Sequence, residues 1–518
     1  MATIVETTNG HLRGLATGPV LGFRGIPYAL PPTPPHRFMA PRPAAPWAGI
    51  RDADAFAPQA PQLLFPFLDP ALADTPAYNA TRDFHRGVVV EPIPYGEDCL
   101  ALNVWTPSTA GTRPVMVWLH GGGFASGAGS WGWWTGEDLA ANQDVVVVTL
   151  NHRLNIFGFL CLEGHGGAAQ GYATNVGMRD IVLALEWVRD NIAAFGGDPG
   201  NITIFGQSGG GMKVTTLMAM PSARGLFHKA IVQSGPFLRA VPMARATVVA
   251  GRMLAELSVM PGRLDALQSV SIEALLSAFR SANEGGPGVL RQFAPVVDGD
   301  SLPHDPFEPA ASPTGAGVPM LIGATSEEIT SLQGFQDLSV FDITPAELPG
   351  RIATACDTDV AGAETLIATY RAARPHATPA RLYAAIASDR RFGFGSIQQA
   401  ERQAAQAPVF TYRLLWQSPV QGGRMGAPHN LDLPMIFGRD RAPGVTGAGT
   451  AHHALAAAMQ AAWAAFARTG TPGHAGLPDW PRYNTQARPT MLFDTVCQLA
   501  NDPAAAERHA QAALPPRL

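Results

Sequence analysis

Five residues near the middle of the chain, Gly206-Gln207-Ser208-Gly209-Gly210, constrain its fold more than any other feature. They stand between NITIF, a short apolar run of strand character, and GMKVTTLMAM, which has helical character. A G-x-S-x-G pentapeptide needs that context. The serine rides a tight strand-to-helix turn, small neighbours avoid clashes, and the hydroxyl stands exposed. The helix N-terminus behind it adds backbone N–H donors and a partial positive charge. A Gly/Ser-rich turn without chemistry would carry the same five letters, so the decision rests on the flanks, and these argue for a nucleophile.

Other apolar runs read as buried strands: Val115–Leu119, Val145–Leu150, Ile202–Phe205, Lys229–Gln233 and Met320–Gly323. The stretch from Val182 to Phe195 predicts a helix, with Ile181, Leu185, Val188 and Ile192 on one face and Arg189 and Asp190 elsewhere. Strands alternating with such helices predict an α/β protein with a mostly parallel sheet covered on both faces. A chain of 518 residues suggests roughly three domains at ~150 residues each. No linker or repeat breaks it, however, and the motifs argue for one catalytic domain over residues 1–518 with long insertions. Residues 61–94, rich in Pro and Ala, read as a long surface segment, and residues 501–518 as a short helix with a loose tail.

Hydrophobic residues make up 46% and charged residues 15%, a globular balance. A net charge of −5 predicts no affinity for nucleic acid or an anionic membrane. No apolar run reaches the length of a membrane span. The N-terminal residues show no basic segment followed by an apolar run, so a cytoplasmic location is expected and a secretory signal is not. Cys99, Cys161, Cys356 and Cys497 lie far apart with no CxxC spacing; free thiols are expected and a zinc site is not.

A second motif, His120-Gly121-Gly122-Gly123-Phe124, follows the strand-like VMVWL. Acyl transfer creates a tetrahedral oxyanion that fixed backbone N–H groups stabilise. Glycine lets that backbone approach without a Cβ in the way. A phosphate-binding loop would continue with Lys-Ser/Thr, whereas this chain continues Phe-Ala-Ser-Gly, so the oxyanion reading is preferred.

With both motifs in place, the chain resembles the type-B carboxylesterases, the family of cholinesterases, liver carboxylesterases and bacterial para-nitrobenzyl esterases, almost end to end. FRGIPYALPP with Arg37-Phe38 is similar to the family's N-terminal signature, and GEDCLALNVWTP at 96–107 to its second. NHRLNIFGFL at 151–160 and the block at 174–211 resemble its centre. GLFHKAIVQSG at 225–235, FAPVVDGDSLP at 293–303, WAAFARTGTP at 463–472 and WPRYNTQARPTMLFD at 480–494 also fit.

The resemblance implies an α/β-hydrolase fold and a triad in the order Ser, Glu, His. LIGATSEEIT at 321–330 is similar to the acid block, where the glutamate falls five residues after a glycine, so Gly323 points to Glu328. GAPHNLDLPMIFG at 426–438 is similar to the histidine block and implies His429 as base. Asp298 and Asp432 are further acids within family blocks. The resemblance also implies an oxyanion hole from Gly122, Gly123 and Gly209, and a structural Arg37–Glu97 ion pair. It implies ester hydrolysis through an acyl-enzyme, with a small-molecule ester as substrate and neither metal nor organic cofactor. Carbamate or activated-amide hydrolysis in the same site is the alternative. A binding protein that has abandoned catalysis is a remote one, since Ser208 and His429 are both present.

The chain departs from the family at several points. Gln207 and Gly209 replace the usual Glu and Ala around the serine; glycine at 209 keeps the N–H and is expected to loosen the backbone. Ala60 stands where the family's early cysteine would pair with Cys99. Asn155, Ile156 and Ile329 replace small residues or glycine. Phe124, Trp131, Trp133 and Trp134 follow or end the glycine loop, and the tryptophans either line an apolar gorge or pack a loop. Substrate identity and oligomeric state are not legible.

Overall fold

The computed structural model of the protein describes residues 2–63, 76–86, 88, 93–260, 262–283, 292–334, 336–438 and 440–515. Within the expected surface segment, residues 64–75, 87 and 89–92 lie outside the described residues, and Pro76–Phe84 is a helix. The chain divides into two compact units. The first holds residues 1–63, 90–231 and 237–316; the second holds 64–89, 232–236 and 317–518.

The first unit opens with an antiparallel meander of β1 (Ala2–Thr7), β2 (Gly10–Thr17) and β3 (Val20–Pro27), with β4 (Ile50–Asp52) beside β2. Next come β5 (Ala101–Thr106), β6 (Arg113–Leu119), β7 (Val146–Leu150) and β8 (Gly197–Gln207). Their order from the meander is β3-β5-β7-β6-β8. β6 runs parallel to both β7 and β8, in register from Val115↔Val146 and Val115↔Ile202. Every residue of β5 and β7 is buried, and for β7 this is why the strand reads as a continuous apolar run without alternation. β9 (Lys229–Gln233) begins where this unit ends, and β10 (Val241–Pro242) and β11 (Val296–Val297) form a separate short parallel pair.

The helix expected from Val182 is α1 (Val176–Asn191), followed by a 3-10 turn, Ile192–Phe195. Ile181, Leu185, Val188 and Ile192 are all buried on its inner face. It starts earlier than its apolar period because polar residues in its first turns are satisfied internally. Asp180 is buried and takes a bidentate pair from Arg153 at 2.6 and 2.9 Å, and Asn175 Nδ2 donates to the Val296 carbonyl at 2.8 Å.

In the second unit, β12 (Met320–Thr325), β13 (Val409–Leu414) and β14 (Pro489–Phe493) are parallel, and β15 (Gln498–Asn501) returns antiparallel on β14. The helices Leu348–Cys356, Val360–Ala373 and Pro379–Ser388 bury Ile352, Leu366, Tyr370 and Ile386 in one cluster. Ile329, one of the departures from the family pattern, is buried in the same cluster, so its side chain serves packing. The C-terminal segment forms the helix Ala505–Ala512. None of the four cysteines is joined to another in a disulfide. No helix among the described residues is long and apolar enough to cross a membrane.

Candidate active site

Ser208 sits between the last residue of β8 and the first of α2 (Gly209–Leu217), with φ 58° and ψ −124°. Such a backbone costs of order 1–3 kcal/mol for a residue with a Cβ and persists only where its surroundings determine it. Here they do. A Cβ on Gly206 would overlap Gly210, and one on Gly210 would overlap the Leu119 carbonyl at the end of β6. The turn is therefore pressed against the strand that leads into the glycine loop.

Glycine at 209 does more than loosen the backbone. A Cβ there would overlap the amide and carbonyl of Gly123, so its absence is what permits the loop to lie against the elbow. Gly122 and Gly123 have φ of 88° and 63°, the left-handed region that glycine occupies without steric cost. The carbonyls of this loop are accounted for. His120 Nδ1 donates to Gly121 O at 2.9 Å, and Ala125 N–H and Ser126 N–H donate to Gly122 O at 3.2 and 3.1 Å. Lys213 Nζ donates to His120 O and Gly123 O at 2.9 and 2.8 Å. Among the described residues, no protein group accepts from the N–H of Gly122, Gly123 or Gly209. Asn155 braces the segment that follows: its N–H donates to Phe124 O at 2.7 Å, and its Nδ2 reaches Pro61 O and Ala125 O. Its φ of 46° suits asparagine better than a branched residue.

Glu328 follows β12 by three residues and is fully buried. Its Oε1 accepts from the Ser234 hydroxyl at 2.6 Å and from Thr325 N–H at 2.8 Å; its Oε2 pairs with His429 Nδ1. His429 is held by its own N–H, which donates to Ser331 Oγ at 3.1 Å, and by the Phe392 ring, 4.7 Å away between centroids. Glu327 faces elsewhere. Its Oε2 accepts from Ser326 Oγ and Ala427 N–H at 2.6 and 2.9 Å, and Arg381 lies 3.5 Å from Oε1. Asp298 is occupied in a turn with Ser301 and Asn175. Asp432 accepts from Gln233 Nε2 at 2.8 Å. Burial first, and the Glu328 charge second, push its carboxyl up to about 7 against the pull of the Gln233 bond.

Phe124 is buried against Phe159 and Phe237. Trp131, Trp133 and Trp134 are buried as well. Trp131 stacks on Trp134 and donates to Gln59, while Trp134 lies against Trp118 of β6 and donates to Ala128 O. Of the two roles left open for the indoles, these contacts are those of a packed loop. Arg37 and Glu97 form a buried bidentate pair at 2.6 and 2.7 Å. Asp440, His452 and His453 offer ligand atoms within 4.8 Å of one another, the one such group among the described residues, and belong to neither the elbow nor the Glu328–His429 pair.

Three supporting residues escaped the sequence reading. Ser234, within the block at 225–235, follows β9 with a φ of 48°, and its hydroxyl donates to Glu328. Ser331 stands one residue beyond the acid block at 321–330. Lys213 carried a usable signal: residues 210, 213, 214 and 217 form one helical face, and the others on it are apolar or glycine.

A carboxylesterase family model matches residues 1–510. The para-nitrobenzyl esterase of Bacillus subtilis (strain 168) is 36% identical, over 98% of this chain and 97% of that protein. Phenmedipham hydrolase of Pseudarthrobacter oxydans is 33% identical, over 96% and 97%. The crystal structure of a Geobacillus stearothermophilus carboxylesterase, 36% identical, aligns over 98% of this chain and 100% of its own with a TM-score of 0.82. The fold is that of the α/β-hydrolases, a mostly parallel sheet flanked by helices, and the protein is a serine hydrolase of carboxylic esters. With the match running over nearly its whole length, the chain belongs to the carboxylesterase family.

Proposed function

We propose that Ser208, His429 and Glu328 are the catalytic triad and that residues 1–518 act as one catalytic domain. The observation that carries this reading is the strained Ser208 turn, set between a strand and a helix with the glycine loop against it. His429 takes the Ser208 proton as the hydroxyl attacks the ester carbonyl, and Glu328 fixes the ring through Nδ1 and supports its cation. The N–H groups of Gly122, Gly123 and Gly209 receive the oxyanion, each worth about 2.7–4 kcal/mol in comparable sites. Protonated His429 then gives its proton to the leaving alcohol, and water, activated by the same base, cleaves the acyl-enzyme. Neither a metal nor an organic cofactor takes part in this scheme.

The substrates are small-molecule esters, and Phe124 is the aromatic residue best placed to meet an acyl group beside Gly123. Four cysteines with no disulfide among them favour a cytoplasmic location. Matched p-nitrophenyl esters, carbamates and anilides, varied independently in acyl and leaving group, test the assignment. Turnover should be highest with esters. Preferential cleavage of the carbamate or anilide would replace ester by carbamate or amide in the reading.

A further inference from the structure

Lys213 is a lysine where a lysine is expensive. It is fully buried on α2, five residues after Ser208. Its Nζ makes two hydrogen bonds, to His120 O and Gly123 O, and lies 5.6 Å from the Phe124 ring centroid. No carboxylate pairs with it among the described residues. The imidazoles of His120 and His152, stacked 4.9 Å apart, are the other ionisable groups beside it; burial and the Lys213 charge keep both neutral. A buried cation without a counter-ion is retained against a large desolvation cost.

The two carbonyls it holds explain the arrangement. His120 O belongs to the peptide joining 120 and 121, and Gly123 O to the peptide joining 123 and 124. Between them lie the two peptides whose N–H groups belong to Gly122 and Gly123. Glycine φ angles in the left-handed region give this loop little stiffness of its own, and Gly209, lacking a Cβ, gives it room against the elbow without holding it there. From this geometry we infer that Lys213 is the positioning residue of the oxyanion hole, clamping both ends of the glycine loop so that its N–H donors are fixed before the oxyanion forms. The inference rests on the oxyanion-hole reading above and adds to it a residue outside the triad. The ammonium also places positive charge behind the loop, of the sign that a developing oxyanion requires. Burial pushes the amine down to about 7, and even the neutral amine keeps two N–H donors for the two carbonyls.

The test compares the wild type with Lys213→Met, which keeps length and loses the donors, and Lys213→Gln, which keeps an amide donor. For each, kcat and KM are measured with a p-nitrophenyl ester. Affinity is measured for an alkyl trifluoromethyl ketone and for the matching alkyl methyl carbinol. The ketone bonds to the serine oxygen as the serine proton passes to the histidine, leaving a tetrahedral oxyanion; the carbinol only occupies the pocket. Lys213→Met should lower kcat by about 10- to 100-fold, below the 10²–10³ for deleting a donor outright. KM and carbinol affinity should change less than about threefold, and ketone affinity should fall in proportion to kcat/KM. Lys213→Gln should lie between, and if the methionine variant does not fold, the same proportionality is read on the glutamine variant. Retained kcat and ketone affinity would overturn the clamp, as would equal losses for ketone and carbinol. A wild type that binds the ketone no better than the carbinol would instead remove the oxyanion-hole reading beneath it.

Discussion

Replacing Glu328 by Gln keeps the shape of the proposed triad acid and removes its charge. The carboxylate now accepts three times, from Ser234 Oγ, Thr325 N–H and His429 Nδ1. An amide has one acceptor oxygen and one donor group. If the oxygen keeps Ser234 and Thr325, the amide N–H2 faces Nδ1–H, donor against donor. The ring then has to carry its proton on Nε2, the nitrogen that must be bare to take the serine proton. If the amide flips, its N–H2 meets Thr325 N–H instead. Neither arrangement supports the imidazolium. Loss of the acid in other serine triads costs about 10⁴ in turnover, or roughly 5.4 kcal/mol at 1.36 kcal/mol per decade. Steady-state hydrolysis of a p-nitrophenyl ester should show Glu328→Gln reduced at least about 10²-fold in kcat, with a native circular dichroism spectrum. Glu327→Gln is the control: its carboxylate holds Ser326 and Ala427 and does not touch His429. It should cost less than about 10-fold. The reverse ranking would move the acid to Glu327, and two mild effects would send the search to Asp298 or Asp432.

Other expectations are independent of the triad. Arg37→Met strands the buried Glu97 carboxylate and empties the carbonyls of Leu267 and Val270. It should destabilise the fold by about 3–5 kcal/mol in urea unfolding; a shift under about 1 kcal/mol would show the site to be wetter than it looks. Thiol titration should report four cysteines after denaturation without reductant. Before denaturation it should report fast reaction only at half-buried Cys497, because the other three sulfurs are buried away from the reagent. Lys213 makes a pH prediction. Its amine is lowered from 10.5 to about 7 on folding, so the desolvation cost is fully present below pH 7. Between pH 7 and 10.5 the unfolded chain binds more protons and the cost is progressively relieved. From pH 6 to 9, about two pH units past the folded value, wild type should therefore gain roughly 2–3 kcal/mol on Lys213→Met. An unchanged difference would mean that the amine is hydrated.

The sequence was most informative where chemistry forces local residue types. The elbow needs small residues around Ser208, and the loop that lies against it needs glycines; both were legible as letters in order. The strands β7 and β12 and the inner parts of β6 and β8 were legible because burial on both faces makes them largely apolar. Less legible was anything held by a tertiary partner. The first turns of α1 look polar, but Asp180 and Asn175 spend that polarity on Arg153 and Val296. The letters of Trp131 and Trp134 fit a gorge wall or a packed loop equally, and the two indoles stack on each other. Lys213 stands on an otherwise apolar helical face, but its task shows only when its carbonyl partners, some ninety residues earlier, are placed beside it. Glu328 could be told from Glu327 only by family spacing, because two adjacent residues beyond a strand end have no periodicity left to separate them.

The central claim is that one serine on the β8–α2 turn does the chemistry. The direct measurement is stoichiometric labelling with a fluorophosphonate, followed by peptide mass spectrometry, alongside the Ser208→Ala variant. The account predicts one adduct per chain, on Ser208, loss of ester hydrolysis in step with labelling, and a Ser208→Ala variant that folds, takes no label and does not turn over. An adduct on another residue, or near-normal hydrolysis by Ser208→Ala, would contradict it.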